Sequence, residues 1–168
     1  MIQENLGKVA ASATYQDLIK TPFDEIQFEF YATTQLVKNT NGTETNIGSP
    51  AIFSSVNASP DKKYLLTERI DKPFSYLFSA GGINSTMLII DMNGKPVKTI
   101  TKLPSSELAP KSADNVLNAL RGYNWLDNSP ATLQWIERLD SGLIKKKVDF
   151  HDAAYTHQHR LQAHQKNW

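Results

Sequence analysis

Short apolar runs rich in β-branched and aromatic residues, separated by turn-forming residues, recur along most of this sequence. The clearest turn signals are Asn41-Gly42 and Asn93-Gly94, each of which lies between two such runs. Asn-Gly favours the positive φ angles of a type I′ turn, whose twist matches that of two antiparallel strands. Many short strands with a turn about every 8 to 12 residues are typical of a β-sandwich, a barrel or a propeller. The sequence therefore predicts a mainly β fold.

Several segments have the composition of strands. We predict strands at 31–37, 45–47, 51–56, 64–70, 86–92, 97–101, 123–126, 132–139 and 146–150. The run Thr86–Met92 is almost continuously apolar, which indicates burial on both faces. Gly48-Ser49-Pro50 is expected to break the chain between two strands. Residues 115–120 fit either a helix or a strand.

A helical pattern precedes the first strand. Thr14 followed by Asp17 resembles a capping box. Thr21-Pro22 offers an N-cap threonine and a proline at the first helical position. We predict two short helices, near 14–20 and 22–30.

The composition excludes several classes of protein. The chain has 168 residues, of which 40% are apolar and 21% charged, and its formal net charge is +1. These values suit one folded domain, and the near-zero charge gives no electrostatic reason to expect a nucleic acid or an anionic membrane as partner. No window approaches the roughly 18 consecutive apolar residues of a membrane span. The absence of cysteine excludes a disulfide scaffold and thiolate metal sites.

Recognisable catalytic motifs are missing from the sequence. There is no Gly-x-Ser-x-Gly elbow, no Gly-x-Gly-x-x-Gly or Walker loop, and no His-Glu-x-x-His pair. All histidines lie near the end of the chain, at His151, His157, His159 and His164. With Asp152 they could ligate zinc or nickel, but a solvated tail explains them better because little around them would hold a metal shell rigidly. We expect no catalytic residues, no cofactor and no metal.

Two charged clusters have simple structural explanations. Asp24, Glu25 and Glu29 could do acid–base work, but acids near the start of a helix are stabilised by its macrodipole. Lys145–Lys147 could bind an anion, but lysines at a strand edge also prevent edge-to-edge pairing.

The most unusual surface segment follows the predicted strand 64–70. Arg69 precedes Asp71-Lys72-Pro73-Phe74-Ser75-Tyr76, which brings cations and two aromatic rings together. Loops of this kind carry function more often than strands do. In the alternative interpretation, Phe74 and Tyr76 simply fill a core.

A coarse internal repeat is weak evidence for a propeller among the all-β folds. The segment 55–66 resembles 122–135, because in each a strand runs into an acidic turn and out into a second strand. The turn residues Asp61 and Asp127 are 66 positions apart. That exceeds the ~40–50 residues of a propeller blade, but the loop at 103–118 could absorb the excess.

Several longer segments resemble one family of proteins. They are TYQDLIK at 14–20, FEFYATTQL at 28–36, IGSPAIFSSV at 47–56, SPDKKYLL at 59–66, ERI at 68–70, PFSYL at 73–77, PATL at 130–133 and WIE at 135–137. Together they resemble the N-terminal β-propeller of prolyl oligopeptidase-type serine peptidases, and within that family the glutamyl endopeptidase-like branch. The likeness covers about residues 3–155.

The resemblance implies a partial β-propeller of two to three blades out of about seven, outside the family's catalytic α/β-hydrolase domain. No residue of the family's catalytic triad is carried over. The propeller would limit the entry of peptide substrate to an active site elsewhere. The implied partners are the missing blades, the hydrolase domain, peptide substrate and, through exposed blade faces, a second copy of this chain. Periplasmic, secreted and cytoplasmic locations of the parent protein all stay open.

The resemblance also implies site residues. The substrate-cavity candidates are Arg69, Lys72, Phe74 and Tyr76, and a structural turn contains Pro60 and Asp61. Two positions depart from the family pattern. Lys62 stands where glycine is usual, and Asp71-Lys72 stands where His-Arg is usual. Lysine offers a point charge without the planar fork of arginine, which weakens the expectation of a preference for glutamate.

The predicted organisation has four parts. They are a flexible lead-in at 1–13, a helical insertion at 14–30, partial β-propeller blades at 31–155 and an irregular tail rich in His and Gln at 156–168. Two alternatives stay open: a self-contained β-rich protein that binds a partner through the 69–78 loop, and a truncated product without a function of its own.

Overall fold

The computed structural model describes residues 18–77, 79, 82–105, 121–140 and 147–158, and this part of the chain forms one helix and three antiparallel sheets. The elements are α1 (Pro22–Ala32), β1 (Thr34–Thr40), β2 (Thr43–Ala51), β3 (Phe53–Ala58), β4 (Tyr64–Ile70), β5 (Ser85–Asp91), β6 (Pro96–Leu103), β7 (Arg121–Trp125), β8 (Thr132–Arg138) and β9 (Asp152–Gln158). The first sheet contains β1 and β2, the second β3 to β6 and the third β7 to β9, each in chain order. The prediction of a mainly β fold is confirmed.

Helix α1 begins where the sequence indicates. The Thr21 hydroxyl accepts a hydrogen bond from the Asp24 N–H at 3.2 Å, and the Asp24 carboxylate accepts one from the Thr21 N–H at 2.9 Å. This is a capping box. The Lys20 N–H also donates to the Asp24 carboxylate, and these hydrogen bonds from Lys20 and Thr21 hold the pKa of Asp24 below its usual value.

The end of α1 and the first predicted helix differ from expectation. Tyr31 and Ala32 are helical, whereas the sequence places them in the first strand. In the predicted helix at 14–20, residues 18–20 are not helical and the others lie outside the described residues, as does the lead-in at 1–13. No helix among the described residues has the length and apolar character that crossing a membrane requires.

Strand β2 runs through the segment that was expected to break it. It continues from Thr43 across Gly48, Ser49 and Pro50 to Ala51. The predicted break is wrong because the β1–β2 pairing contains a register shift there, and Gly48 takes a φ of +65°. A bulge lets a strand accept one left-handed residue without ending.

The last sheet also differs from the predicted strands. Residues 147–150, within the predicted strand 146–150, are not in a strand. Strand β9 instead spans Asp152–Gln158 and pairs with β8 from end to end without a register shift. The position of β9 along the chain is set by its pairing with β8 and not by the apolar residues of its own sequence. The predicted irregular tail therefore begins too early, and residues 159–168 lie outside the described part, as does the ambiguous segment 115–120.

The central strands of the second sheet, β4 and β5, are buried on both faces, as the apolar run Thr86–Met92 predicts for β5. Leu65 pairs with Ile90, and Leu66 pairs with Ile89. These two pairs point to opposite faces because side chains alternate along a strand. Leu65 and Ile90 pack with Ile47 of the first sheet, whereas Leu66 and Ile89 pack with the third sheet. The third sheet contributes Trp125 and Leu133, and the turn between β7 and β8 contributes Ala131.

The second and third sheets are joined at their first strands, β3 and β7. The Trp125 indole N–H donates to the Asn57 carbonyl at 3.1 Å. The Asp61 N–H donates to the Pro130 carbonyl at 3.0 Å, which connects the turns that follow these strands. The two hairpins that carry the sequence repeat, β3–β4 and β7–β8, therefore lie next to each other.

The first and second sheets approach each other most closely at two glycines. Gly94 lies in the turn between β5 and β6 with a φ of +81°, and a Cβ atom added there would lie 2.1 Å from the backbone nitrogen of Gly48. No side chain fits at that distance. Glycine is therefore needed at position 94 for two reasons: the turn requires a positive φ, and the contact between the sheets leaves no room for a Cβ atom.

We predict that Gly94→Ala lowers the free energy of unfolding by more than about 2 kcal/mol, because left-handed strain adds to a backbone overlap. Gly42→Ala is the matched control, since Gly42 has a φ of +87° but nothing within 4 Å of its added Cβ. It is expected to cost about 1 kcal/mol. Urea unfolding with an unchanged m value measures both. Equal losses of unfolding free energy in the two variants would contradict the close approach of the two sheets.

Candidate functional site

The loop from β4 to β5 contacts α1 through an aromatic ring. Phe74 is buried, and its ring lies edge-on to that of Phe28 with centroids 5.0 Å apart. Phe74 belongs to a small core on this side of the protein, together with Ile19, Ile52, Ile70 and Ile83. The structure thus places Phe74 in a core, as in the alternative interpretation of its sequence.

Two polar contacts fasten the same loop to the same face of α1. Lys72 Nζ lies 2.7 Å from Glu29 Oε2, and the Tyr76 hydroxyl donates to Glu25 Oε2 at 3.0 Å. Glu25, Phe28 and Glu29 share one side of the helix because they are spaced by three and four residues. The hydrogen bond to Glu29 raises the pKa of Lys72, and the hydrogen bond to Glu25 raises the pKa of Tyr76.

Arg69 is held by a carboxylate at the start of the loop. Its Nε donates to Asp71 Oδ1 at 2.8 Å, and the Thr86 hydroxyl donates to Asp71 Oδ2. The Asn84 side chain donates to the Pro73 carbonyl at 3.0 Å, and the Lys72–Pro73 peptide bond is cis. Both ends of the loop are therefore tied by hydrogen bonds.

A cleft of about 860 Å³ lies beside this loop, across strands β4, β5 and β6. Its charged lining residues are Arg69, Asp71, Lys72 and Lys102. Arg69 pairs with Thr86, and Thr86 pairs with Lys102, so these three residues form one row across the strands. Asp71 pairs with Arg69, and Glu29 pairs with Lys72. The three cations therefore exceed their carboxylate partners by one positive charge, which suits an anionic group.

The cleft brings together two of the four predicted cavity residues. Arg69 and Lys72 line it, whereas Phe74 and Tyr76 are not among its lining residues. Sequence reasoning missed Thr86 and Lys102, because strand register, which local sequence does not give, brings them to Arg69. It also missed the role of Glu25 and Glu29 as loop partners, although the helical spacing of the two glutamates around Phe28 carries that signal.

Pro60 and Asp61 lie in the turn between β3 and β4. Asp61 Oδ1 accepts hydrogen bonds from the Ser59 hydroxyl at 2.6 Å and from the Lys63 N–H at 3.1 Å. Lys62, which stands where the family pattern usually has glycine, has a φ of +57°, and this left-handed conformation is the one that glycine adopts most readily. The lysine therefore leaves the turn intact.

His151 contacts a buried carboxylate. Its Nδ1 lies 2.8 Å from Asp140 Oδ2, and Arg138 Nη1 lies 3.8 Å from the same oxygen. In the described ranges, no group of three or more potential ligands among His, Cys, Asp and Glu could hold a metal ion. His159 and His164 lie outside those ranges, and so does the lysine pair 145–146.

Comparison with known proteins relates this chain to peptidases. It is 35% identical over 156 residues to a protein of Oryza sativa subsp. japonica named probable glutamyl endopeptidase, chloroplastic. It is 34% identical over 143 residues to a protein of the same name from Arabidopsis thaliana. No family model and no solved structure gives a significant match.

The coverage of these matches is asymmetric. They include 92% and 84% of this chain but 17% and 15% of the two plant proteins. The chain therefore spans about one sixth of the length of the curated relatives that it matches. It is related to a peptidase family over most of its own length, and it corresponds to a small segment of such a protein.

Replacing Phe74 by alanine is expected to loosen α1. The change removes the ring that contacts Phe28 and costs about 3–5 kcal/mol. Chymotrypsin should then cleave after the exposed Phe23 and Phe30 of α1 faster than in the unmodified chain, as followed by mass spectrometry. Leu133→Ala, in the core between the second and third sheets, is the control for a general loss of stability. Equal cleavage of α1 in both variants would contradict the role of Phe74 as its anchor.

Proposed function

We propose that this chain is a non-catalytic part of a β-propeller in a serine peptidase related to the glutamyl endopeptidases. In this proposal the propeller controls which peptides reach a catalytic domain outside the chain. The relatives with peptidase names support it, because the chain corresponds to a small segment of each of them. The remaining propeller blades and the α/β-hydrolase domain would be its partners in the same protein.

One structural observation carries the proposal. The second sheet has four antiparallel strands and apolar contacts on both faces, and its first strand lies against the first strand of the next sheet. Sheets that stack face to face with their first strands together are what radial repetition in a propeller requires. A sandwich needs only one buried face for each sheet.

The positive cleft supplies a contact for substrate. Arg69, Lys72 and Lys102 line it, and arginine and lysine are the side chains that recognise carboxylates. We assign Arg69 and Lys72 to the binding of an acidic group on a peptide, whereas Phe74 and Tyr76 act by fixing the loop that positions Lys72. Copies of the chain could also associate through the open faces of the first and third sheets.

A self-contained binding protein is the second candidate. The observation that favours it is the outer side of α1, where large apolar side chains are 63% to 78% exposed. They belong to Phe23, Ile26, Phe30 and Tyr31. An exposed apolar patch on a soluble domain is typical of a protein-binding surface.

The purified 168-residue chain is expected to leave a fluorogenic glutamyl peptide uncleaved, because the nucleophile would lie in another domain. The protein encoded by the complete reading frame is expected to cleave it and to lose this activity after treatment with a serine-directed fluorophosphonate. The proposal would be contradicted if the purified chain cleaved the peptide and a substitution in this chain abolished that cleavage. A reading frame without any such hydrolase domain would favour the second candidate.

In the complete protein, Trp125→Phe is expected to weaken the control of substrate size. The variant keeps an aromatic ring but loses the hydrogen bond that joins β7 to β3. The ratio of kcat/KM for a long peptide to that for a short peptide should rise about two- to tenfold, the equivalent of one hydrogen bond. Trp135→Phe is the matched control, because the Trp135 indole donates to Glu137 within its own sheet at 2.8 Å. An unchanged ratio in the Trp125 variant would contradict gating.

A further inference from the structure

The outer edge of β9 is open to pairing. β9 is the last strand of the third sheet, so one row of its backbone N–H and C=O groups has no strand partner among the described residues. Such an edge binds another strand readily unless the sequence prevents it. Proteins usually prevent it with lysine, proline, a bulge or a covering group.

The other outer strands of the described sheets carry these protective features. They are Lys38 in β1, Pro50 in β2, Pro96, Lys98 and Lys102 in β6, and the register shift beside Gly122 in β7. At the edge of β3, the Asn57 carbonyl accepts a hydrogen bond from the Trp125 indole of the third sheet.

Among the described residues, β9 has none of these features. Its sequence, DAAYTHQ, contains no lysine, proline or glycine, and its pairing with β8 has no register shift. Its one carboxylate, Asp152, is neutralised by Arg121, whose Nη2 lies 2.6 Å from Asp152 Oδ1. The strand is therefore regular, and it offers an edge of low charge.

We propose that β9 pairs with β9 of a second copy of this chain, antiparallel and centred on Tyr155. The two third sheets then form one continuous sheet of six strands across a two-fold axis. In this register Asp152 faces Gln158, Ala153 faces His157 and Ala154 faces Thr156, so no two like charges meet. A second copy is the occupant because, in this register, the strand meets itself without like-charge contacts and with Tyr155 opposite Tyr155.

Aromatic side chains support the same register. Trp135 pairs with Tyr155 across β8 and β9, and their rings stack with centroids 6.1 Å apart. Tyr155 is 40% exposed. Pairing at the axis places the two Tyr155 side chains opposite each other, between the two Trp135 rings. Cross-strand aromatic pairs of this kind stabilise a sheet.

This inference goes beyond the proposed function and concerns the 168-residue chain by itself. Sedimentation velocity over a range of concentrations is expected to show a dimer. Tyr155→Lys and Tyr155→Glu should each weaken dimerisation about tenfold or more, because like charges then face each other directly. An equimolar mixture of the two variants should restore the dimer, which a general loss of folding cannot do.

A second variant tests the edge without touching the aromatic stack. In Ala154→Lys/Thr156→Lys, each lysine faces a lysine of the other copy on the opposite face of the sheet from Tyr155, and both positions are exposed. It should also be monomeric. Val97→Lys and Val97→Glu, on the β6 edge, are controls that should stay dimeric.

Three outcomes would overturn the pairing. They are a monomer at all concentrations for the unmodified chain, a dimer that survives both lysine variants of β9, and a mixture of the Tyr155 variants that stays monomeric although both are folded by circular dichroism. None of these results bears on peptidase activity of the complete protein, so failure here is distinguishable from failure of the proposed function.

Discussion

The burial of both faces of the second sheet is the constraint on which the rest of the structure depends. Leu65 and Ile90 face one way, and Leu66 and Ile89 face the other. A sheet with two apolar faces needs a cover on each side, and the first and third sheets supply these covers. Burial of apolar surface contributes about 25 cal/mol per Å² to the free energy of folding, so removal of either covering sheet would lose a large part of that free energy. The stacking of the three sheets therefore follows from the apolar side chains that point alternately to the two faces of β4 and β5.

The candidate site inherits its geometry from the register of this sheet. Arg69, Thr86 and Lys102 lie in one row because β4, β5 and β6 pair at those positions. Lys72 belongs to both the cleft and the contact with α1, since it lines the cleft and pairs with Glu29. An anionic ligand in the cleft would compete with Glu29 for the same ammonium group. The position of α1 and the charge of the cleft are thereby coupled through one side chain.

Local signals in the sequence were sufficient for part of the fold. The threonine–proline start of α1, the turns at Asn41-Gly42 and Asn93-Gly94, and strand β4 at 64–70 were all predictable, because each depends on neighbouring residues. The break predicted at Gly48–Pro50 and the strand predicted at 146–150 failed for the opposite reason. Pairing with β1 carries β2 through its bulge, and pairing with β8 sets the position of β9. Part of the lining of the cleft was predictable, because Arg69 and Lys72 stood out in the sequence, whereas Thr86 and Lys102 reach it only through register. That this cleft binds substrate stays a prediction.

The first and third sheets, at the two ends of the stack, have fewer described strands than the sheet between them. Within the described part of the chain, the middle sheet has four strands, whereas the first has two and the third has three. The last strand of such a sheet has an outer edge whose backbone N–H and C=O groups must form hydrogen bonds with another strand or with water. Further sequence of a longer propeller would cover the β9 edge in one way, and a second copy of the chain would cover it in another. Since both partners would use the same row of N–H and C=O groups, pairing between copies and completion of the sheet by further sequence exclude each other.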